Sequence, residues 1–316
     1  MSRTKKFLVI TSQRSTDIQW ADREAAVKAF YGDLEDKLGD VAVLYTTYDE
    51  IECTVRNGAV TMFDNKHQLD LKTVDLVHFK NWMFDSEQAA TIACYLEHHT
   101  VSFFNSEVNI QLAWGKVSQM VRLAFAKIEV PDTYFAKNRQ MHRQFSTGLL
   151  PAGFSFPAIL KADDGAKGND NHLVRDVAAA LAVLDERQDK HYVLQNFLPN
   201  DGDYRFLFMG LDEAPLVFLR LAAGDSHLNN TSQGGSGELV DISTLPKSYL
   251  GIARSAASAL GREIGGVDIL VDSRTQKPYV LEVNSTPALA TGYNIGRKNE
   301  LFANFLREQL ESKEEE

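Results

Sequence analysis

Only two cysteines, Cys53 and Cys94, occur in 316 residues, so neither a disulfide framework nor a cysteine zinc centre can be built. No apolar run approaches the roughly 20 residues that a membrane helix needs. The N-terminus, Met1-Ser2-Arg3-Thr4-Lys5-Lys6, is basic. The apolar run after it, Phe7-Leu8-Val9-Ile10, is too short for a signal segment and lacks a cleavage site. Positive charge is scarce: 33 Lys and Arg against 43 Asp and Glu give a net charge of −10. Phosphate backbones are bound by basic surfaces, which argues against a general nucleic-acid binder while leaving room for one locally basic pocket. Three signatures are missing as well. No GxGxxG follows the first strand-like run, no GxxxxGK[ST] occurs, and no Ser–His–Asp arrangement is legible among eight scattered histidines. What remains is a chain read as cytoplasmic, independent of membrane and nucleic acid. Its composition, 44% hydrophobic and 24% charged, is that of an ordinary globular protein.

The length exceeds one typical core and predicts two or three units. Residues 1–106 alternate apolar strands (Phe7 to Ile10, Val41 to Tyr45, Val74 to Phe79) with helices (Asp17 to Leu38, Ser86 to His98), the pattern of an open α/β layer. Asp85 and Ser86 offer N-cap oxygens to the second helix. Asn57-Gly58 between alternating residues predicts a hairpin over Ile51 to Phe63. Asn81 to Asp85, with Trp82, follows a strand end, where open α/β sheets place ligands; an ordinary surface loop explains it equally well. Residues 107–194 form a smaller unit. Its helix is predicted over Val108 to Ile128, with Trp114, Val117, Val121 and Phe125 at core spacing and Lys116 inside it. Residues 195–316 carry further strands, a polar glycine-rich loop from Gly224 to Gly237, a helix from Ser248 to Leu260 and a last helix from Asn294 with Leu301, Phe302, Phe305 and Leu306 apolar.

Function concentrates in Gly266-Val267-Asp268-Ile269-Leu270-Val271 and Tyr279-Val280-Leu281-Glu282-Val283-Asn284, two apolar runs joined by a polar turn segment. They read as adjacent strands, with Glu282 and Asn284 on one side and Asp268 able to face the same space. Asp, Glu and Asn are hard oxygen donors suited to Mg²⁺, with Mn²⁺ as the alternative ion. Polar groups on one face of apolar strands need a partner, which favours the metal reading over a plain hairpin. Upstream, Phe156 to Lys161 reads as a strand ending in lysine. It runs into Asp163-Asp164-Gly165-Ala166-Lys167-Gly168-Asn169-Asp170, a mobile loop whose backbone N–H groups suit phosphate oxygens, although a plain turn has the same look. Arg205 and Arg220 sit within apolar strands, which calls for an anion nearby.

In order along the chain stand Phe104-Asn105-Ser106, Lys116, Lys161 with its glycine loop, Tyr192 to Leu198, Asp203-Tyr204-Arg205, Gly266-Val267-Asp268 and Leu281-Glu282-Val283-Asn284-Ser285-Thr286-Pro287. Over roughly residues 100 to 290 this set resembles the ATP-grasp ligases, nearest to the RimK-like and glutathione-synthetase-like branches. The resemblance implies an ATP-grasp fold behind an N-terminal open α/β domain, with an α+β C-terminal part. It implies that Lys116 and Lys161 reach the ATP phosphates. The backbone of Asp164, Gly165, Ala166, Lys167 and Gly168 would cover the β- and γ-phosphates. Gln195, Asn196, Phe197 and Leu198 would form the adenine-reading hinge, with Asp203 near the ribose or the far wall of the pocket. Asp268, Glu282 and Asn284 would hold Mg²⁺, while Arg205, Arg220 and Asn230 would stabilise the transferring phosphoryl group and an acyl phosphate.

The implied activity is an ADP-forming ligation of a carboxylate to an amine, with amino acid or peptide substrates and a homodimer as found among similar enzymes. A kinase acting on a hydroxyl, and a non-catalytic nucleotide-binding module, are the alternatives on the same scaffold. Asn196 stands where the family often has Glu, Leu228 where RimK-like enzymes often have an acceptor-binding Arg, Ala288 where Gly is common, and Gly115 where Asp is frequent. No metal ligand or phosphate contact is lost by these departures, so the resemblance implies an active site with a substrate of its own.

Overall fold

Lys5–Thr11 (β1) buries Phe7, Leu8, Val9 and Ile10 completely. Four consecutive apolar residues form a strand because both faces of its sheet are covered, as parallel sheets require. The structure is a computed structural model and describes residues 4–12, 20–56, 59–109, 115–163, 170–186, 190–223, 229 and 236–311. β1 pairs in parallel with Val41–Thr47 (β2) and with a later strand, Leu76–Lys80 (β6), which in turn pairs with Ser102–Phe104 (β7). The order β2-β1-β6-β7 places a topological switch between β1 and β6. The first helix, Trp20–Leu38 (α1), packs with Phe7 and Val9 on one face, and Ser86–His98 (α2) packs with Leu8 and Ile10 on the other. A 3₁₀ turn over Trp82–Asp85 runs directly into α2, and Asp85 makes no side-chain cap bond, contrary to the expectation from sequence. The predicted hairpin is present as Ile51–Arg56 (β3) against Ala59–Asp64 (β4), extended by Leu69–Asp70 (β5); its Asn57-Gly58 turn lies outside the described residues.

The helix expected over Val108 to Ile128 is shorter. Ser106–Asn109 is a 3₁₀ turn, and the helix proper is Lys116–Phe125 (α3), so Lys116 opens it instead of lying inside. Its face is also turned from the expected one: Gln119, Met120 and Leu123 are buried, while Val121 is 46% and Phe125 84% exposed. The cause is a polar residue. Gln119 Oε1 accepts the Val283 N–H at 3.0 Å, and satisfying that buried donor draws a glutamine inward and swings Val121 and Phe125 to the outside. Trp114 lies outside the described residues.

The central lobe is an antiparallel sheet, in order Asn171–Val174 (β10), Ala158–Ala162 (β9), Tyr192–Asn196 (β11) and Thr133–Phe135 (β8). Asn138–Phe145 (α4) and Val177–Glu186 (α5) cover it, and Met141, Phe145, Leu160, Leu184 and Leu194 form its own core. The C-terminal lobe is a five-stranded antiparallel sheet, in order Ser236–Val240 (β14), Leu216–Leu221 (β13), Asp203–Met209 (β12), Ile264–Val271 (β15) and Pro278–Asn284 (β16). Lys247–Ala259 (α6) and α3 pack on one face of this sheet. Ile295–Glu311 (α7) joins the other face to the N-terminal sheet, so Phe7, Phe104, Leu207 and Phe302 share one core. No described helix is long and apolar enough to cross a membrane.

Candidate functional site

Strand register assembles the site. Arg205 on β12 lies opposite Asp268 on β15, and Asp268 lies opposite Glu282 on β16. Two residues along, Gly266 faces Asn284; two residues the other way, Asp203 faces Arg220. Because side chains two residues apart share a face, Arg205, Asp203, Asp268, Glu282, Asn284 and Arg220 all project to the same side of the sheet. A β-bulge follows Asp268, so the alternation along β16 shifts beyond this point.

The two arginines meet Asp268 directly. Arg205 Nε and Nη2 each lie 2.6 Å from an Asp268 oxygen, a bidentate fork. Arg220 Nη2 adds a contact of 2.9 Å and spans to Asp203 at 2.6 Å through Nε. Burial works to raise the Asp268 carboxyl, but Arg205 and Arg220 outweigh it and hold it down at about 2. The anion that the sequence required for these arginines is thus a protein carboxylate in this state. Asp203 is 3% exposed, and its Oδ1 accepts from Arg220 Nε.

Glu282 and Asn284 are more accessible. Asn284 Nδ2 donates to Glu282 Oε1 at 3.1 Å and to Gly266 O at 3.5 Å. The second Glu282 oxygen and Asn284 Oδ1 accept no hydrogen bond from described residues. Among the described residues no cluster of three or more His, Cys, Asp or Glu gathers round one point. The open donors are the Glu282 carboxylate and the Asn284 amide oxygen, while both Asp268 oxygens are taken by Arg205 and Arg220. These hard oxygens on adjacent strands fit a Mg²⁺-type ion that keeps part of its water or phosphate shell, with Asp268 joining only where the Arg205 fork opens.

Across the gap, Lys161 on β9 is buried, and its ammonium feels the charges of Glu282, Lys116 and Asp268. Burial pushes it down to about 8. Lys116 sits at the first position of α3 with Nζ 3.3 Å from Asp163 O, and Asp163 Oδ1 accepts the Val117 N–H at 2.9 Å. Asp163 therefore caps α3 and ties it to the end of β9. Sequence reasoning missed this role, which no local pattern signals; in the structure an added Cβ at Gly115 would come within 3.0 Å of the Asp163 carboxylate. Gln195 donates to Thr133 Oγ1 at 2.7 Å, and Asn196 bonds to Asp132, Gly153 and the Ser155 N–H, so both hinge side chains are spent on structure and only backbone groups are left to face a base. Phe197 and Leu198 are partly exposed in the connection between lobes. Asp164, Gly165, Ala166, Lys167, Gly168 and Asn230 lie outside the described residues.

A second group of buried contacts anchors β16 from below. Asn105 Nδ2 donates to Ser285 O at 3.0 Å, and its Oδ1 accepts the Ile264 N–H at 2.9 Å. Ser106 Oγ bonds to Glu263 Oε1 at 2.5 Å. Glu107 pairs with Arg262 at 2.5 Å, and Arg262 also donates to Val283 O.

The family model described as the RimK-like ATP-grasp domain matches residues 113–300. A probable alpha-L-glutamate ligase of Rhodopirellula baltica is 30% identical over 193 residues, covering 58% of this chain and 44% of the relative. A protein of the same description from Sodalis glossinidius is 32% identical over 190 residues, covering 58% of this chain and 60% of the relative. The chain thus spans about half the length of the curated relatives it matches. Among solved structures, the ATP-grasp ligase PsnB complexed with the precursor peptide PsnA2 and AMPPNP superimposes with a TM-score of 0.65 at 14% identity, covering 96% of this chain and 98% of that one. At that identity the likeness establishes the fold.

Proposed function

The chain belongs to the RimK-like ATP-grasp family, and we propose that it is an ATP-dependent carboxylate–amine ligase that forms an amide through an acyl phosphate and releases ADP and phosphate. One observation carries the reading. Strand register puts Asp268, Glu282 and Asn284 on one face of the C-terminal sheet, and the buried Lys161 of the central sheet feels the charges of Glu282 and Asp268. A cation on one lobe facing oxygen donors on the other frames a triphosphate with a divalent ion between them.

In this reading Lys116 and Lys161 bind phosphate oxygens as point charges, and the backbone from Gln195 to Leu198 contacts the base. Asp268, Glu282 and Asn284 hold Mg²⁺, with Mn²⁺ as a substitute. That ion, when bound, neutralises charge on the phosphates as the γ-phosphoryl group moves. A carboxylate oxygen of the substrate displaces ADP at the γ-phosphorus. An amine then attacks the acyl carbon and expels phosphate, losing its proton. Arg205 lies beside the metal donors, with Nη2 3.9 Å from Glu282, and in this reading its guanidinium would turn from Asp268 toward the developing charge, freeing an Asp268 oxygen for the cation. Arg220, buried behind it, keeps Asp268 ionised. Asp164 to Gly168 and Asn230 join the phosphate and intermediate contacts on the strength of the family resemblance. The relatives' names and the peptide in the PsnB complex support amino acids or peptides as the substrate class. We assign the reaction to the cytoplasm and the working form to a homodimer.

The test is incubation with Mg²⁺-ATP and pools of amino acids and peptides, using a substrate carboxylate labelled with ¹⁸O. ADP and labelled phosphate are the expected products. AMP and pyrophosphate would overturn the acyl-phosphate route, and a stable phosphorylated product formed with no amine present would identify a kinase.

A further inference from the structure

We propose that Glu107 and Arg262 are positioning residues for Glu282 and Asn284, and that the affinity of the site for a divalent cation depends on their buried ion pair. The inference rests on the metal assignment above. Glu107 and Arg262 are 1% and 2% exposed, and neither belongs to the set that faces the cleft.

β16 is the outermost strand of its sheet, so its outer edge has no strand ladder to hold it. Side chains from outside the sheet take that place. Arg262 donates to Val283 O and Asn105 donates to Ser285 O, so the carbonyls immediately before and after Asn284 are both held by side chains. Gln119 takes the Val283 N–H. The Arg262 Nε that leads to this contact is engaged by Glu107 Oε2 at 2.5 Å, which fixes the plane of the guanidinium. Glu107 is held in turn by Trp82 Nε1 on its other oxygen at 3.0 Å and by its own N–H to Gly261 O at 3.1 Å. The chain of contacts starts at the crevice end of β6, where the Asn81 N–H also meets Thr286 Oγ1 at 3.4 Å.

An apolar pair of similar volume would hold two elements together at least as well as a buried ion pair. What the charges add is direction: a planar guanidinium with its carboxylate fixes where each remaining N–H points. At the strand that presents the oxygen donors, direction is what cation binding needs, because partners behind metal ligands set their orientation.

The experiment titrates Mn²⁺ into the full-length protein saturated with AMPPNP, followed by electron paramagnetic resonance. Wild type is compared with Glu107→Gln, the double variant Glu107→Met/Arg262→Met, and Glu282→Ala. The double variant leaves no orphaned charge but strips partners from Trp82 Nε1 and Val283 O, so its melting temperature is expected to fall by several degrees, and the titrations are made well below it. Its Mn²⁺ Kd is expected to rise about 10- to 100-fold, while AMPPNP affinity measured in EDTA stays within about twofold. Glu107→Gln, which keeps an acceptor for Trp82, is expected to show a smaller rise of the same sign. A double variant with wild-type Mn²⁺ affinity would overturn the proposal, and so would parallel loss of AMPPNP affinity in EDTA, the mark of a collapsed cleft. Wild-type Mn²⁺ affinity in Glu282→Ala would instead sink the metal assignment itself.

Discussion

Lys161 titrates where physiological experiments can see it. With its ammonium at about 8 in the nucleotide-free protein, the charged form dominates below that pH and is lost above it. A triphosphate prefers the charged form, so binding above pH 8 must take up a proton. The ATP Kd is expected to weaken by up to about tenfold per pH unit once pH exceeds 8. Titration calorimetry from pH 7 to 9.5 in buffers of different ionisation heat reads both the affinity and the proton uptake. Lys161→Arg, charged throughout this range, should flatten the profile; a flat wild-type profile would remove Lys161 from the phosphate site. Glu282 makes the complementary case. It is partly exposed, so Glu282→Gln should shift stability by no more than about 0.5 kcal/mol. Turnover should nevertheless fall by about 10²- to 10³-fold, as when one preorganised electrostatic contact is removed. Melting curves and ADP release measured side by side separate the two effects.

At the level of the element, α3 and the end of α6 show where periodicity misleads. Trp114, Val117, Val121 and Phe125 made a reasonable helical stripe, yet the buried residues are Gln119, Met120 and Leu123. Leu123→Ala should cost about 2–5 kcal/mol and Phe125→Ser no more than about 0.5; equal denaturation midpoints for the two would contradict this face assignment. Gly261 ends α6 with φ +63, and an added Cβ would lie 2.9 Å from Ser106 Oγ and 3.1 Å from Glu107 N. Left-handed backbone and close contact act together there, so Gly261→Ala is expected to destabilise by about 1–3 kcal/mol. Urea midpoints would measure it, and a neutral result would show that the 105–107 segment is free to move away.

Over the whole molecule, the sharing of cores decides what moves together. Phe302 on α7 is fully buried against Phe7 and Phe30 of the N-terminal unit. The central lobe keeps a core of its own. Phe302→Ala should therefore cost about 3–5 kcal/mol, and hydrogen exchange should show β1 and β12 losing protection together while β9 and β11 do not. Equal loss in all three lobes would mean one rigid block with no hinge at Phe197 and Leu198.

Much of the candidate site was conspicuous from residues alone. Asp268, Glu282 and Asn284 announce themselves because period-two alternation makes polar groups on one face of apolar strands conspicuous at short range. The strands of the N-terminal layer were legible as short continuous apolar runs, and the helix from Ser86 to His98 as an amphipathic stretch, both local signals. The partners of those groups were not. That Arg205 and Arg220 would both close on Asp268, that Asp163 would cap α3, and that Glu107 would meet Arg262 across 155 positions depend on strand register and lobe packing. Those contacts join residues far apart in the chain, and their strength comes from the water that folding removes around them. No pattern along a one-dimensional string carries that information.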